Sequence, residues 1–195
     1  MYSLPANEDT GGKLLLTEEI FFHISQGDNK AFANLYTNTY QAVYGFLLSI
    51  LNNREEAEDV LQETYIKIRE NASGYKHNGK PMAWIFTIAR NLAYMKLRKR
   101  KRVSMLSIED AENVVGFSDV TNAEERMVLE AAFRILNVEE RQIVMLHAVS
   151  GLKHKEISQI MKKPLSTVLS KYNRAIKKLE KAVGGDEEYD RKRHQ

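Results

Sequence analysis

The stretch GLKHKEISQIMKKPLSTVLSKYNRAIKKLEK, Gly151 to Lys181, decides the fold. It sets two segments of helical period on either side of a short join that contains Pro164. Leu152, Ile157, Ile160 and Met161 can pack inward from the first segment, and Leu165, Val168, Tyr172, Ala175, Ile176 and Leu179 from the second. Spacings of three and four place each set on one helix face. The tight join then predicts a helix-turn-helix.

A turn that tight fixes one helix across the other, so that the second can enter a major groove about 12 Å wide while the first crosses the backbone. The outward residues of the second segment are Ser166, Thr167, Leu169, Ser170, Lys171, Asn173, Arg174, Lys177 and Lys178. Arg and Lys can donate to guanine, Asn can pair with adenine, and Ser or Thr can serve bases or phosphates. Lys153, His154 and Lys155 would then lie near phosphates. The bland alternative is a helical hairpin whose charged side is merely solvated; spacing, turn and cationic side together favour DNA.

Working toward the N-terminus, apolar residues recur at spacings of three and four nearly throughout, which predicts an all-α chain. After the turn signal QGDN, Asp28 or Asn29 can cap a helix whose stripe is Phe32, Leu35, Tyr36, Tyr40, Val43, Phe46, Leu47 and Ile50. The next helix, 54–71, turns Ala57, Val60, Leu61, Thr64 and Ile68 inward and carries Glu55, Asp59, Gln62 and Glu63 on another side. A polar loop, NASGYKHNGK, leads to Pro81 at the first turn of a third helix. That helix buries Ile85, Ile88, Leu92 and Trp84 and lines up Thr87, Arg90, Asn91, Tyr94 and Arg98. Between 103 and 122 no period is sustained, which reads as a linker of about 20 residues able to span ~65 Å when extended. A second helical domain follows, in which Asn137 and Glu140 have the spacing of a capping box.

With 43% hydrophobic and 28% charged residues the chain has an ordinary globular composition. Its net charge is only +3, yet REEAED at 54–59 and RKRKR at 98–102 segregate the signs, which suggests two different partners. The absence of Cys excludes disulfides and thiolate metal sites. The five His lie at 23, 77, 147, 154 and 194, with no zinc-ligand spacing, so no metal or other cofactor is expected. No carboxylate cluster comes with a phosphate-binding partner or a His-based acid and base, which argues against a nuclease and against any catalytic residue. The start of the chain lacks a signal-peptide pattern and no apolar run approaches the ~20 residues that span a bilayer, so a cytoplasmic location is expected.

Taken together, these motifs resemble the bacterial RNA polymerase sigma factors of the extracytoplasmic-function group. AEDVLQETYIKI (57–68) resembles the segment that grips the clamp helices of the polymerase largest subunit, and AWIFTIARNLAYMKLRKRKR (83–102) the strand-opening, minus-ten-reading segment. LNVEERQIVMLHAVSGLKHKEISQIM and STVLSKYNRAIKKL resemble the domain that reads the minus-thirty-five element. The chain departs from the common pattern at Met95, often acidic in the family, at Ser158, at Leu169, often polar or basic, and at Lys162, where the turn often has Gly.

The resemblance implies two small helical domains, over 25–102 and 123–183, with an extension at 1–24, a linker at 103–122 and a frayed tail at 184–195. It implies polymerase binding by Glu55, Asp59, Gln62 and Glu63, and minus-ten contacts from Tyr75, Lys80, Arg90, Asn91, Tyr94, Arg98 and Lys99. Minus-thirty-five contacts fall to Ser166, Thr167, Ser170, Lys171, Asn173, Arg174 and Lys178. The physics agrees: an acidic, amide-bearing face suits a basic polymerase surface, and seven basic residues without an acid between Arg90 and Arg102 suit nucleic acid. An unstacked base needs a pocket or a ring, for which Tyr75 and the loop 71–80 are candidates. Expected partners are core RNA polymerase through its clamp helices, promoter DNA and an anti-sigma factor, commonly membrane-linked, with no small-molecule substrate. The rival reading is a stand-alone helix-turn-helix regulator that binds operator DNA as a dimer.

Overall fold

A computed structural model describes residues 16–77, 79–104 and 135–193, and every regular element among them is helical. In chain order these are α1 (Glu19–Ser25), α2 (Asn29–Leu51), α3 (Arg54–Asn71), a 3-10 turn (Ala72–Gly74), α4 (Pro81–Ser104), α5 (Val138–Val144) with a π-helical continuation (Met145–Val149), α6 (His154–Met161) and α7 (Leu165–Arg193). The linker expected from 103 and the start of the second domain, 123–134, lie outside the described residues beyond Ser104.

Local chemistry sets the helix ends. Asp28 Oδ1 accepts from the backbone N–H of Lys30 (2.8 Å) and Ala31 (3.1 Å), and Asn53 Oδ1 from that of Glu56 (2.9 Å). Each such cap stabilises its helix by about 1 kcal/mol. The Asn137–Glu140 capping box forms in both directions, at 3.0 and 3.1 Å. At the end of α6, Lys162 adopts the left-handed conformation, φ 53°, which glycine takes without a Cβ penalty. The turn where the resembled family pattern has Gly is therefore one whose backbone favours glycine.

Helices α2, α3 and α4 pack through Leu35, Phe46, Leu47, Ile68, Ile85 and Phe86, all 0% exposed, with Phe46 and Phe86 edge to face at 5.1 Å. The inward set expected on α3 is buried in full. Thr39 and Tyr65 share a 2.6 Å hydrogen bond across α2 and α3, and burial pushes the Tyr65 phenol pKa upward. Two members of the expected α2 stripe face out instead: Tyr36 and Tyr40 stack on each other at 5.5 Å, and only the Tyr36 ring reaches Tyr65. Leu165, at the first position of α7, is likewise exposed.

Two boundaries differ from expectation. Phe21 and Ile24, three apart on α1, are buried with the first domain, so the core begins ahead of residue 25. Helix α7 runs on through Gly184 and Gly185 to Arg193, where a frayed tail was expected.

The two domains touch. Ile143, Leu146, Ile157 and Ile160 belong to the same buried cluster as the residues of α2–α4, and Met145 reaches Gly45 of α2. The basic end of α4 also folds back on the acidic side of α3, pairing Lys96 with Asp59 (3.1 Å) and Arg100 with Glu56 (3.2 Å). The segregated charges of the sequence thus partly neutralise each other inside one domain.

Candidate nucleic-acid and polymerase interfaces

Helix α7 presents Ser166, Ser170, Asn173 and Arg174 to solvent, with Thr167 half-buried beside them, because Val168 and Ala175 occupy the buried side. Two predicted contacts turn elsewhere. Lys171 Nζ lies 2.9 Å from Glu139, which also holds Lys163 at 2.9 Å, and Lys178 Nζ lies 2.7 Å from the buried Glu140. The hydrogen bonds from Lys163 and Lys171 hold the Glu139 carboxyl below its ordinary range. Burial pushes Glu140 up, but hydrogen bonds from Lys178 and from the Asn137 backbone outweigh it and leave its pKa lowered. These pairs tie α7 and the turn before it to the start of α5; only the capping spacing of Glu140 hinted at them.

At the front of the helix pair, Lys153 and Lys155 are exposed as expected. His154 is not a free phosphate contact: its ring packs on His147 (4.2 Å) and Tyr172 (4.8 Å). Its Nε2 is buried without a hydrogen bond, and burial followed by the His147 charge lowers its pKa. His147 Nδ1 meets the Leu152 carbonyl at 2.8 Å, so the pair staples the turn before α6.

On the first domain Asn91, Arg98 and Lys99 are exposed along α4. Arg90 lays its guanidinium 4.4 Å over the Tyr94 ring. The second domain covers part of this helix: Gln142 Nε2 donates to Tyr94 Oη (3.2 Å), and Lys80 Nζ donates to Gln159 Oε1 (3.3 Å). Tyr75 is the clearest departure. It is 7% exposed, lies 4.3 Å from Phe21 and 5.3 Å from Trp84, and donates its hydroxyl to Glu18 (2.6 Å). In this conformation it is a core residue and offers no face to a base. Trp84 packs in the same cluster, as its place after Pro81 suggested. Beside that cluster a cleft of about 410 Å³ opens between α3, the 3-10 turn and α4, lined by Lys67, Asn71, Gly74, Trp84, Ile88, Asn91 and Leu92. Asn91 lines it, together with Asn71 and Gly74 of the candidate loop 71–80.

The α3 face is formed as expected: Glu55, Asp59, Gln62 and Glu63 are all exposed, with the 55% exposed Ile66 alongside Gln62 and Glu63. Among the described residues no group of three His, Cys, Asp or Glu could hold a metal, and no helix is long and apolar enough to cross a membrane.

Comparison with known proteins matches the two helical units to separate families. Residues 35–103 match sigma-70 region 2 and residues 126–179 match sigma-70 region 4. The chain is 30% identical over 164 residues to the ECF RNA polymerase sigma factor SigK of Mycobacterium ulcerans, covering 80% of this chain and 87% of that one. It is 29% identical over 160 residues to SigK of Mycobacterium bovis, covering 78% and 85%. Among solved structures it is similar to the sigma factor RpoE of Bartonella quintana in complex with the anti-sigma factor NepR, with a TM-score of 0.68, 23% identity, and coverage of 80% and 98%. It is also similar to CnrH in complex with the cytosolic domain of CnrY, with a TM-score of 0.61, 18% identity, and coverage of 87% and 97%.

Proposed function

The chain belongs to the extracytoplasmic-function group of RNA polymerase sigma factors and directs promoter-specific transcription initiation, and from that premise we propose how its surfaces divide the work. Glu55, Asp59, Gln62 and Glu63 of α3 dock on the clamp helices of core polymerase, with Ile66 as the apolar member of the patch. Arg90, Asn91, Tyr94, Arg98 and Lys99 of α4 follow the minus-ten element, and the cleft under Trp84 and Asn91, rather than the ring of Tyr75, receives an unstacked base. Ser166, Thr167, Ser170, Asn173 and Arg174 read the minus-thirty-five groove, while Lys171 and Lys178 orient the helix. The chain itself catalyses no reaction.

Each domain alone is a modest DNA binder, and polymerase supplies the rest by holding the two at the promoter's spacing. The contacts of Tyr94 with Gln142 and of Lys80 with Gln159 must part for this to happen. An anti-sigma factor is the proposed regulator, in keeping with the NepR complex of the similar RpoE.

The observation that carries the proposal is the coexistence, on separately matched units, of an exposed acidic-amide face on α3 and an exposed polar face on α7 that bears Asn173 and Arg174. It is tested by reconstituted transcription with core polymerase on a promoter library. Asp59→Lys abolishes core binding; Arg174→Glu keeps core binding and loses minus-thirty-five discrimination. Lys96→Ala separates loss of the Asp59 carboxylate from loss of its internal pair. Full-strength recognition of promoters by the purified protein as a dimer, without polymerase, would establish the rival regulator instead.

A further inference from the structure

We infer that Glu18, on the turn entering α1 and ahead of the region matched to sigma-70 region 2, is the positioning residue of the loop that follows α3. The inference rests on the reading that this loop borders the minus-ten contact surface.

The loop needs an outside support. After the 3-10 turn Ala72–Gly74, the described residues up to Lys80 form no regular structure. A single oxygen, Glu18 Oε1, accepts hydrogen bonds at both ends of the stretch: from Tyr75 Oη at 2.6 Å and from the Gly79 N–H at 2.6 Å. The other oxygen lies 3.9 Å from His77 Nδ1. Gly79 has φ 72°, a left-handed conformation that suits glycine. Hydrogen bonds to a charged acceptor contribute more than neutral ones.

Helix α1 also supplies the seat. Phe21, fully buried, meets the Tyr75 ring at 4.3 Å and the Trp84 ring at 4.9 Å. Acceptor and seat together turn Tyr75 inward and leave Ser73, Lys76 and His77 exposed on the outer side of the loop, beside the cleft that Gly74 and Trp84 line. A carboxylate so close to a DNA-facing surface would repel phosphate; here its lone pairs are turned to the loop, and its side chain is only 26% exposed. Glu18 therefore acts on DNA through the shape it gives the loop and touches no base itself.

The test uses the full-length chain with core polymerase and promoters carrying single-base changes in either element. Trp84 is the single tryptophan of the chain, so its emission reports on the cluster directly. Glu18→Gln keeps a weaker, neutral carbonyl acceptor for both donors and is expected to lose clearly less minus-ten discrimination than Glu18→Ala. Glu18→Ala is expected to shift Trp84 emission and to lower discrimination at the minus-ten element about ten-fold, with core affinity and minus-thirty-five discrimination within two-fold. Tyr75→Phe, which keeps the ring and removes one donor, is expected to do the same more weakly and carries the test if Glu18→Ala fails to fold. Shifted emission with unchanged minus-ten discrimination overturns the inference, as does equal loss in Gln and Ala. Lys76→Ala with His77→Ala probes the underlying reading: if that pair leaves the minus-ten profile intact, the loop is not part of the reading surface; if the pair alters it and Glu18→Ala does not, only the positioning role falls.

Discussion

Gly45 of α2 lies directly beneath Met145: a β-carbon at 45 would stand 2.7 Å from Met145 Cε. The space at Gly45 is filled by the Met145 methyl where the π-helical turn of the second domain meets α2. The atom in the way is the end of a flexible thioether, so Gly45→Ala is absorbed by rotation of Met145. Gly45→Leu is not, and overpacking of that kind costs about 1–3 kcal/mol. The expected outcome is a larger radius of gyration for the free protein by small-angle scattering and tighter unaided binding of minus-ten single strands, since Tyr94 and Lys80 lose their partners Gln142 and Gln159. An unchanged radius with Gly45→Leu would refute the docking.

Lys162 sits at φ 53° at the end of α6. The left-handed conformation costs a side-chain-bearing residue about 1–2 kcal/mol, and glycine gives back about 0.5–1 kcal/mol in unfolded-chain entropy. Lys162→Gly is thus expected to stabilise the second domain by about 0.5–1 kcal/mol, read by denaturant titration, while promoter selectivity stays the same. Destabilisation would mean that the Lys162 side chain has a role its exposure does not suggest.

Glu140 closes the α5 capping box and holds Lys178 from a site that is 2% exposed. Glu140→Ala removes the reciprocal cap and leaves Lys178 unpaired, an expected loss of about 1–3 kcal/mol in thermal unfolding. Glu140→Gln keeps the acceptor for the Asn137 N–H and loses less. Equal losses in the two variants would assign the effect to packing.

Acid should weaken the second domain in two stages. Burial, followed by the charge of His147, lowers the His154 pKa from its ordinary 6.5. The unfolded chain therefore takes up the proton first, and stability present above pH 6.5 is lost as pH falls through the folded value. Glu139 and Glu140, both lowered from 4.5, keep their contribution above that pH and lose it as pH falls further. His154→Phe is expected to abolish the upper stage and spare the lower, read in melting temperatures between pH 8 and pH 3. A single stage in the parent protein would contradict this assignment.

What the sequence determined by itself is most of what neighbours three or four residues away govern, though Tyr36, Tyr40 and Leu165 face out against their spacing. The inward faces of α3 and α6, the caps at Asp28 and Asn137, Pro81 at the head of α4 and the exposed face at Glu55 to Glu63 follow from helical period and from side chains satisfying nearby N–H groups. The unusual turn at Lys162 was legible only through the family resemblance, whose pattern often has Gly there. Only the tertiary structure decided what depends on partners far along the chain. Tyr75 turns inward because Glu18, 57 residues away, accepts a hydrogen bond from its hydroxyl and Phe21 seats its ring. Lys178 pairs with Glu140, 38 residues back, and Tyr94 is covered by Gln142, 48 residues on. Periodicity says which side of a helix is polar; it carries no record of which distant charge or ring that side will meet once the helices pack.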